Sequence, residues 1–173
     1  MAGTVAVWDP LVRIVHWTVA ALVVVDLFNE AGANPWHRNL GYAAGALVLL
    51  RLAWGLIGPR PARLAAMARA ARDALPYARS LMRPPGEPPV GHTPLGAWMA
   101  FTLWTLVLAT VFTGWLLRLD AFWGSDTVEQ VHTVAAYVLG GCALVHVAGA
   151  VATSLRYRVN LVAAMVTGRK RLR

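Results

Sequence analysis

The chain has 173 residues, 58% of them hydrophobic and 14% charged, with a net charge of +8 and a mean hydropathy of +0.53. That is too apolar for an ordinary water-soluble domain of this length and implies one membrane domain. Its one cysteine, Cys142, excludes an internal disulfide, a cysteine-rich zinc site and an iron–sulfur cluster, and no Cys-x-x-Cys-His run offers covalent haem attachment.

Four apolar runs are long enough to cross a bilayer, which takes about 20 residues each. After a short lead over residues 1–8, Asp9 and Pro10 make a helix start: the carboxylate caps free amides and proline suits the first turn. The first span, 11–28, carries Arg13, His16 and, near its far end, Asp26. The start lacks a basic leader region and the apolar run exceeds a signal core, so it reads as a retained span. Asp26 is a proton-handling group or, more plainly, a carboxylate at headgroup level.

Gly32, Asn34 and Pro35 break the chain before a second span over 38–57, preceded by His37. Gly41 and Gly45 follow His37 on the same helical face; they suit either a flat cofactor lying on the helix or close packing between helices. Arg51 lies fourteen residues after His37, near the inner end. Gly58-Pro59 ends the span. Residues 62–81 place Leu64, Met67, Ala71, Leu75 and Ala78 at helical spacing among arginines, which predicts an amphipathic helix anchored at the headgroups. Pro84–Pro89 is a stiff linker. His92 precedes Thr93-Pro94, which opens a third span, 95–117, with no ionisable group before Arg118; this span is expected to close the bundle. An acidic loop, Asp120–Glu129, leads to the fourth span, 131–155, with His132 and His146, and a basic tail.

The basic residues fall on one side. Arg60, Arg63, Arg69, Arg72, Arg79 and Arg83 lie between spans two and three, and Arg156, Arg158, Arg169, Lys170, Arg171 and Arg173 follow span four. The other two loops set Arg38 and Arg118 against Glu30, Asp120, Asp126 and Glu129. The positive-inside rule makes the basic side, with both termini, cytoplasmic. This asymmetry accounts for the charge and leaves no case for nucleic acid.

Intramembrane histidines are functional suspects. His132 and His146 are fourteen residues apart, close to four helical turns, so they share a face and stand roughly 21 Å apart along the axis. By distance from the span ends, His16 matches His146 on the cytoplasmic side, and His37 matches His132 on the outer side. Two axial pairs follow, each able to hold one haem through imidazole nitrogen. Ligation at both faces leaves no open coordination position, which suits an electron carrier. A lone histidine of this kind would read as a proton relay, a helix–helix hydrogen bond or an interfacial group; a zinc or copper site would need the two pairs to be closer.

The order Trp8-Asp9-Pro10, Arg13, His16-Trp17, His37, Leu40-Gly41-Tyr42, Arg51-Leu52, Trp54-Gly55, Gly91-His92-Thr93-Pro94-Leu95-Gly96, His132, His146 and Thr167-Gly168-Arg169-Lys170-Arg171 resembles the bacterial di-haem cytochrome b-561 family, which includes the b-type subunits of nickel–iron hydrogenases. The resemblance covers nearly the whole chain. It implies an all-α, four-helix membrane bundle with two non-covalent b haems, ligands at the four paired histidines, and exchange with the quinone pool, ubiquinone among the candidates. Beside it, Arg51 and Arg13 each read as a haem-propionate partner or as a side chain snorkelling to the headgroups. His92 reads as a contact to a propionate or quinone head, or as part of a plain interfacial cap.

The expected function is electron transfer in a bacterial inner membrane, between quinone and a separate redox protein such as a periplasmic c-type cytochrome. Two alternatives stand beside it: a superoxide oxidase reducing ubiquinone, and the cytochrome anchor of a hydrogenase-like complex. The first wants positive charge to steer a small anion, and the acidic outer loops offer little. A homo-oligomer is compatible with the sequence, which does not set the oligomeric state.

Overall fold

A computed structural model describes residues 3–29, 35–86 and 90–172. Glu30, Gly32, Asn34, the Glu87–Pro89 end of the expected linker and Arg173 lie outside the described residues.

Four long helices run up and down: α1 (Pro10–Leu27), α2 (Pro35–Ile57), α5 (Pro94–Leu116) and α6 (Asp126–Tyr157). All four are long and apolar enough to cross a membrane. The starts follow the expected chemistry. Asp9 Oδ1 accepts from Val12 N at 3.1 Å ahead of Pro10, and Thr93 Oγ1 accepts from Gly96 N at 3.1 Å ahead of Pro94. The other Asp9 oxygen accepts from Trp54 Nε1 at 3.3 Å, which ties the start of α1 to the end of α2.

α2 packs against α1 and α5, and α5 against α6; α6 meets α1 only sparsely. A core of Ala44, Val48, Val107 and Leu139 fills the middle of the bundle, with Val19, Leu22, Leu103 and Val111 around it. The outer surface is apolar instead: Leu56, Leu144 and Leu155 are each more than 70% exposed. A water-soluble monomer rarely shows so continuous an apolar exterior. The fold is that of a helical membrane bundle, its exterior facing lipid.

Three elements depart from the sequence expectation. α6 begins at Asp126 rather than 131, so the last four residues of the expected acidic loop are helix. Ser125 Oγ caps it, accepting from Val128 N, and Asp126 and Glu129 sit in its first turn, where carboxylates complement the helix dipole. The amphipathic stretch is two helices, α3 (Leu64–Arg72) and α4 (Ala74–Ser80), broken at Asp73. Pro76 has no amide to give an unbroken helix across that point. The apolar face of the first of them packs on the bundle: Met67 and Ala71 are buried against Ala97 and Phe101 of α5.

After α6, Arg158 takes a left-handed conformation and α7 (Leu161–Thr167) follows. Gly168, at φ +79°, turns the chain into β2 (Arg169–Leu172), which pairs antiparallel with β1 (Gly3–Ala6), Val5 opposite Lys170. Val7 N and Trp8 N both donate to the Gly168 carbonyl, at 2.8 and 3.2 Å. The two chain termini thus meet at one end of the bundle, called here the terminal end. The opposite end is called the far end.

Candidate functional site

The bundle brings the four histidines together as two pairs. At the terminal end, His16 of α1 faces His146 of α6, with ring centroids 6.2 Å apart and planes at 53°. At the far end, His37 of α2 faces His132 of α6, at 6.0 Å and 86°. A metal–imidazole bond is about 2 Å, so two imidazoles on opposite sides of one metal put their centroids roughly 6 Å apart. Both pairs have that spacing. Leu139, in the core, stands midway between the two α6 histidines, so the pairs are separated by packed aliphatic side chains.

The remaining ring nitrogens differ from pair to pair. His132 Nδ1 lies 3.0 Å from the Thr110 carbonyl oxygen and 3.1 Å from Thr113 Oγ1, both on α5. The carbonyl can only accept, so Nδ1 carries the proton and Nε2 keeps its lone pair for a metal. Gly114 clears the space for this ring, since a Cβ there would stand 3.1 Å from His132 Cε1. His37 Nδ1 lies 2.9 Å from Asp26 Oδ1. His16 Nδ1 is buried and makes no hydrogen bond, and its ring meets Trp17 edge-on at 5.1 Å. Among the described residues no three His, Cys, Asp or Glu side chains gather into a metal-ion cluster. Two facing imidazoles are nevertheless a complete protein donor set for a haem, whose macrocycle supplies the other ligands, and the residues present fit that group.

The additional candidates lie at the terminal end. Arg51 does not snorkel: it is 4% exposed, donates from Nη2 to the Ala62 carbonyl at 2.9 Å, and stacks over Trp104 with its Cζ 5.0 Å from the ring centre. Its Nη1 is buried without a partner. Arg13 has a buried Nε with no partner and lies beside Gly168. His92 packs edge-on against Trp8 at 4.6 Å. Burial, with Arg51 and the terminal histidine pair nearby, pushes its imidazole down to about 4, so it is neutral at pH 7.

Gly41 and Gly45 of α2 face protein. A Cβ at Gly45 would come within 3.2 Å of Val111, and one at Gly41 would stand 3.8 Å from Asp26 Oδ2. Close packing between helices therefore accounts for Gly45. Sequence reasoning underweighted Asp26, whose neighbour His37 is eleven positions away across a turn. It missed Thr110 and Thr113 because hydroxyls and carbonyls inside an apolar span carry no distinguishing pattern.

The structure is thus an apolar four-span membrane bundle with two facing imidazole pairs inside it. The family model described as prokaryotic cytochrome b561 matches residues 7–168, and the chain belongs to that family. It is therefore a b-type cytochrome of the membrane, a carrier of electrons through b-type haem. Comparison with curated proteins and with solved structures gives no match.

Proposed function

We propose that the chain holds two non-covalent b haems, one between His16 and His146 and one between His37 and His132, and passes electrons between quinone and a redox protein across a bacterial inner membrane. The observation that carries this reading is the pair of 6.2 and 6.0 Å ring separations, both completed by the same helix. When bound, haem would supply a one-electron carrier, held by these imidazoles. The protein's part is to orient four imidazoles, to exclude water with the Val48–Leu139 core, and to set charge around each pair. Arg51, buried with a free Nη1, is suited to a propionate at the terminal end.

Support for quinone comes from a shallow, largely open surface groove between α1 and α7, where Arg13, Ile14, Trp17, Thr18 and Val166 meet. Its wall is mainly apolar, as an isoprenoid quinone requires, and Arg13 adds a donor for a quinone carbonyl. Trp17 stands between the groove and His16. The basic loops at the terminal end favour a cytoplasmic position for it by the positive-inside rule, in which case a partner such as a periplasmic c-type cytochrome would meet the far end.

A reduced-minus-oxidised visible spectrum, with haem extracted and counted per chain, tests the assignment. Two low-spin, non-covalent b haems are expected. A colourless protein after expression with ample haem would sink it. For the groove, Trp17→Leu is expected to raise the apparent KM for a short-chain quinone severalfold with haem content unchanged; an unaltered KM moves the quinone site elsewhere.

A further inference from the structure

The two pairs sit in opposite electrostatic surroundings. At the far end, His37 hydrogen-bonds to a carboxylate: the Asp26 side chain is only 17% exposed and its Oδ1 lies 2.9 Å from His37 Nδ1. The partner ring, His132, hydrogen-bonds to a neutral carbonyl and a hydroxyl. At the terminal end, His16 Nδ1 has no hydrogen bond, and the buried charged side chains are the cations Arg51, within the bundle, and Lys170, in the ribbon. Asp26 reaches His37 because α2 packs back against α1, with Gly41 one helical turn beyond His37 presenting no side chain to Oδ2.

We propose that Asp26 is a positioning residue: it fixes His37 with Nε2 turned to the iron and makes the far-end haem the more reducing of the two. This rests on the two-pair reading above. The physical reason is twofold. An imidazole that donates Nδ1–H to a carboxylate is a stronger base at Nε2, and outer-shell partners of this kind tune the metal. An anion in a low-dielectric interior also stabilises the more positive, oxidised iron, while a buried cation favours the reduced state. Asp26 acts at one end and Arg51 at the other, so the two shifts add to one potential difference directed along the bundle. The favoured downhill direction then runs from the far end to the terminal end.

The test is a potentiometric titration of the visible spectrum of the purified, haem-loaded protein. His146→Ala, which retains the far pair, and His132→Ala, which retains the terminal pair, assign the two midpoints. The far-end centre is expected to have the lower midpoint in the wild type. Asp26→Asn should shift the far-end reduction equilibrium about tenfold toward the reduced form, a rise of about 59 mV for a one-electron couple. The other midpoint should stay in place, and Asp26→Glu, which keeps the carboxylate, should retain most of the wild-type midpoint. A far-end midpoint that is the higher one in the wild type overturns the proposal even if Asp26→Asn fails to assemble. An unchanged far-end midpoint in a fully loaded Asp26→Asn overturns it as well. Fewer than two haems in the wild type would instead mark failure of the two-pair reading.

Discussion

Removing the His146 imidazole takes one member from the terminal pair and leaves the far pair its own donors. His146→Ala should lower haem content by about half and spare the far-end centre, and His132→Ala should do the converse, as counted from extracted haem. Loss of both centres in either variant would break the pairing. His92 offers a test by pH. Its folded value of about 4 lies below the ordinary 6.5, so the unfolded chain takes up a proton that the fold refuses. Stability is full above about pH 6.5 and falls as pH drops from there toward 4. His92→Gln should flatten that part of the melting-temperature profile relative to the wild type. The four paired histidines were legible in the sequence because matched depth and a fourteen-residue repeat survive without any knowledge of packing. Asp26 was not, because its role depends on which way α2 turns back. Arg51 was half legible: its helical phase relative to His37 was readable, but its burial under Ala62 depends on how the chain folds over the terminal end.

The long helices were readable to within a few residues wherever a cap marked them, as at Asp9-Pro10 and Thr93-Pro94. The start of α6 was misread because Asp126 and Glu129 look like loop residues by composition, although their charge favours a helix N-terminus. The β1–β2 ribbon joins residues at opposite ends of the sequence, and a four-residue strand leaves no periodicity to read. Its hinge is testable. Gly168 has a positive φ, and a Cβ there would stand 2.6 Å from the Trp8 carbonyl oxygen. Gly168→Ala should cost about 1–3 kcal/mol of stability and speed amide exchange in the ribbon. Unchanged exchange would show that the ribbon does not depend on this turn. α3 makes a second test of element packing. Met67, 2% exposed against α5, should cost about 2–5 kcal/mol when cut to alanine, measured as loss of thermal stability in detergent. A near-neutral Met67→Ala would show that α3 is held by its interfacial arginines rather than by this contact with α5.

For the molecule as a whole, both termini lie at one end, tied to each other by the β1–β2 ribbon. Impermeant labelling of tags on the two termini in sealed membrane vesicles should therefore modify both or neither. Opposite labelling of the two would contradict the four-span bundle. The sparse meeting of α1 with α6 has a different consequence. His132 and His146 ride on one continuous helix, so they share a single rotational phase. On the two-haem proposal the sites would be mechanically geared: α6, packed along α5, carries both histidines at one phase, and a twist in it would disengage both pairs at once.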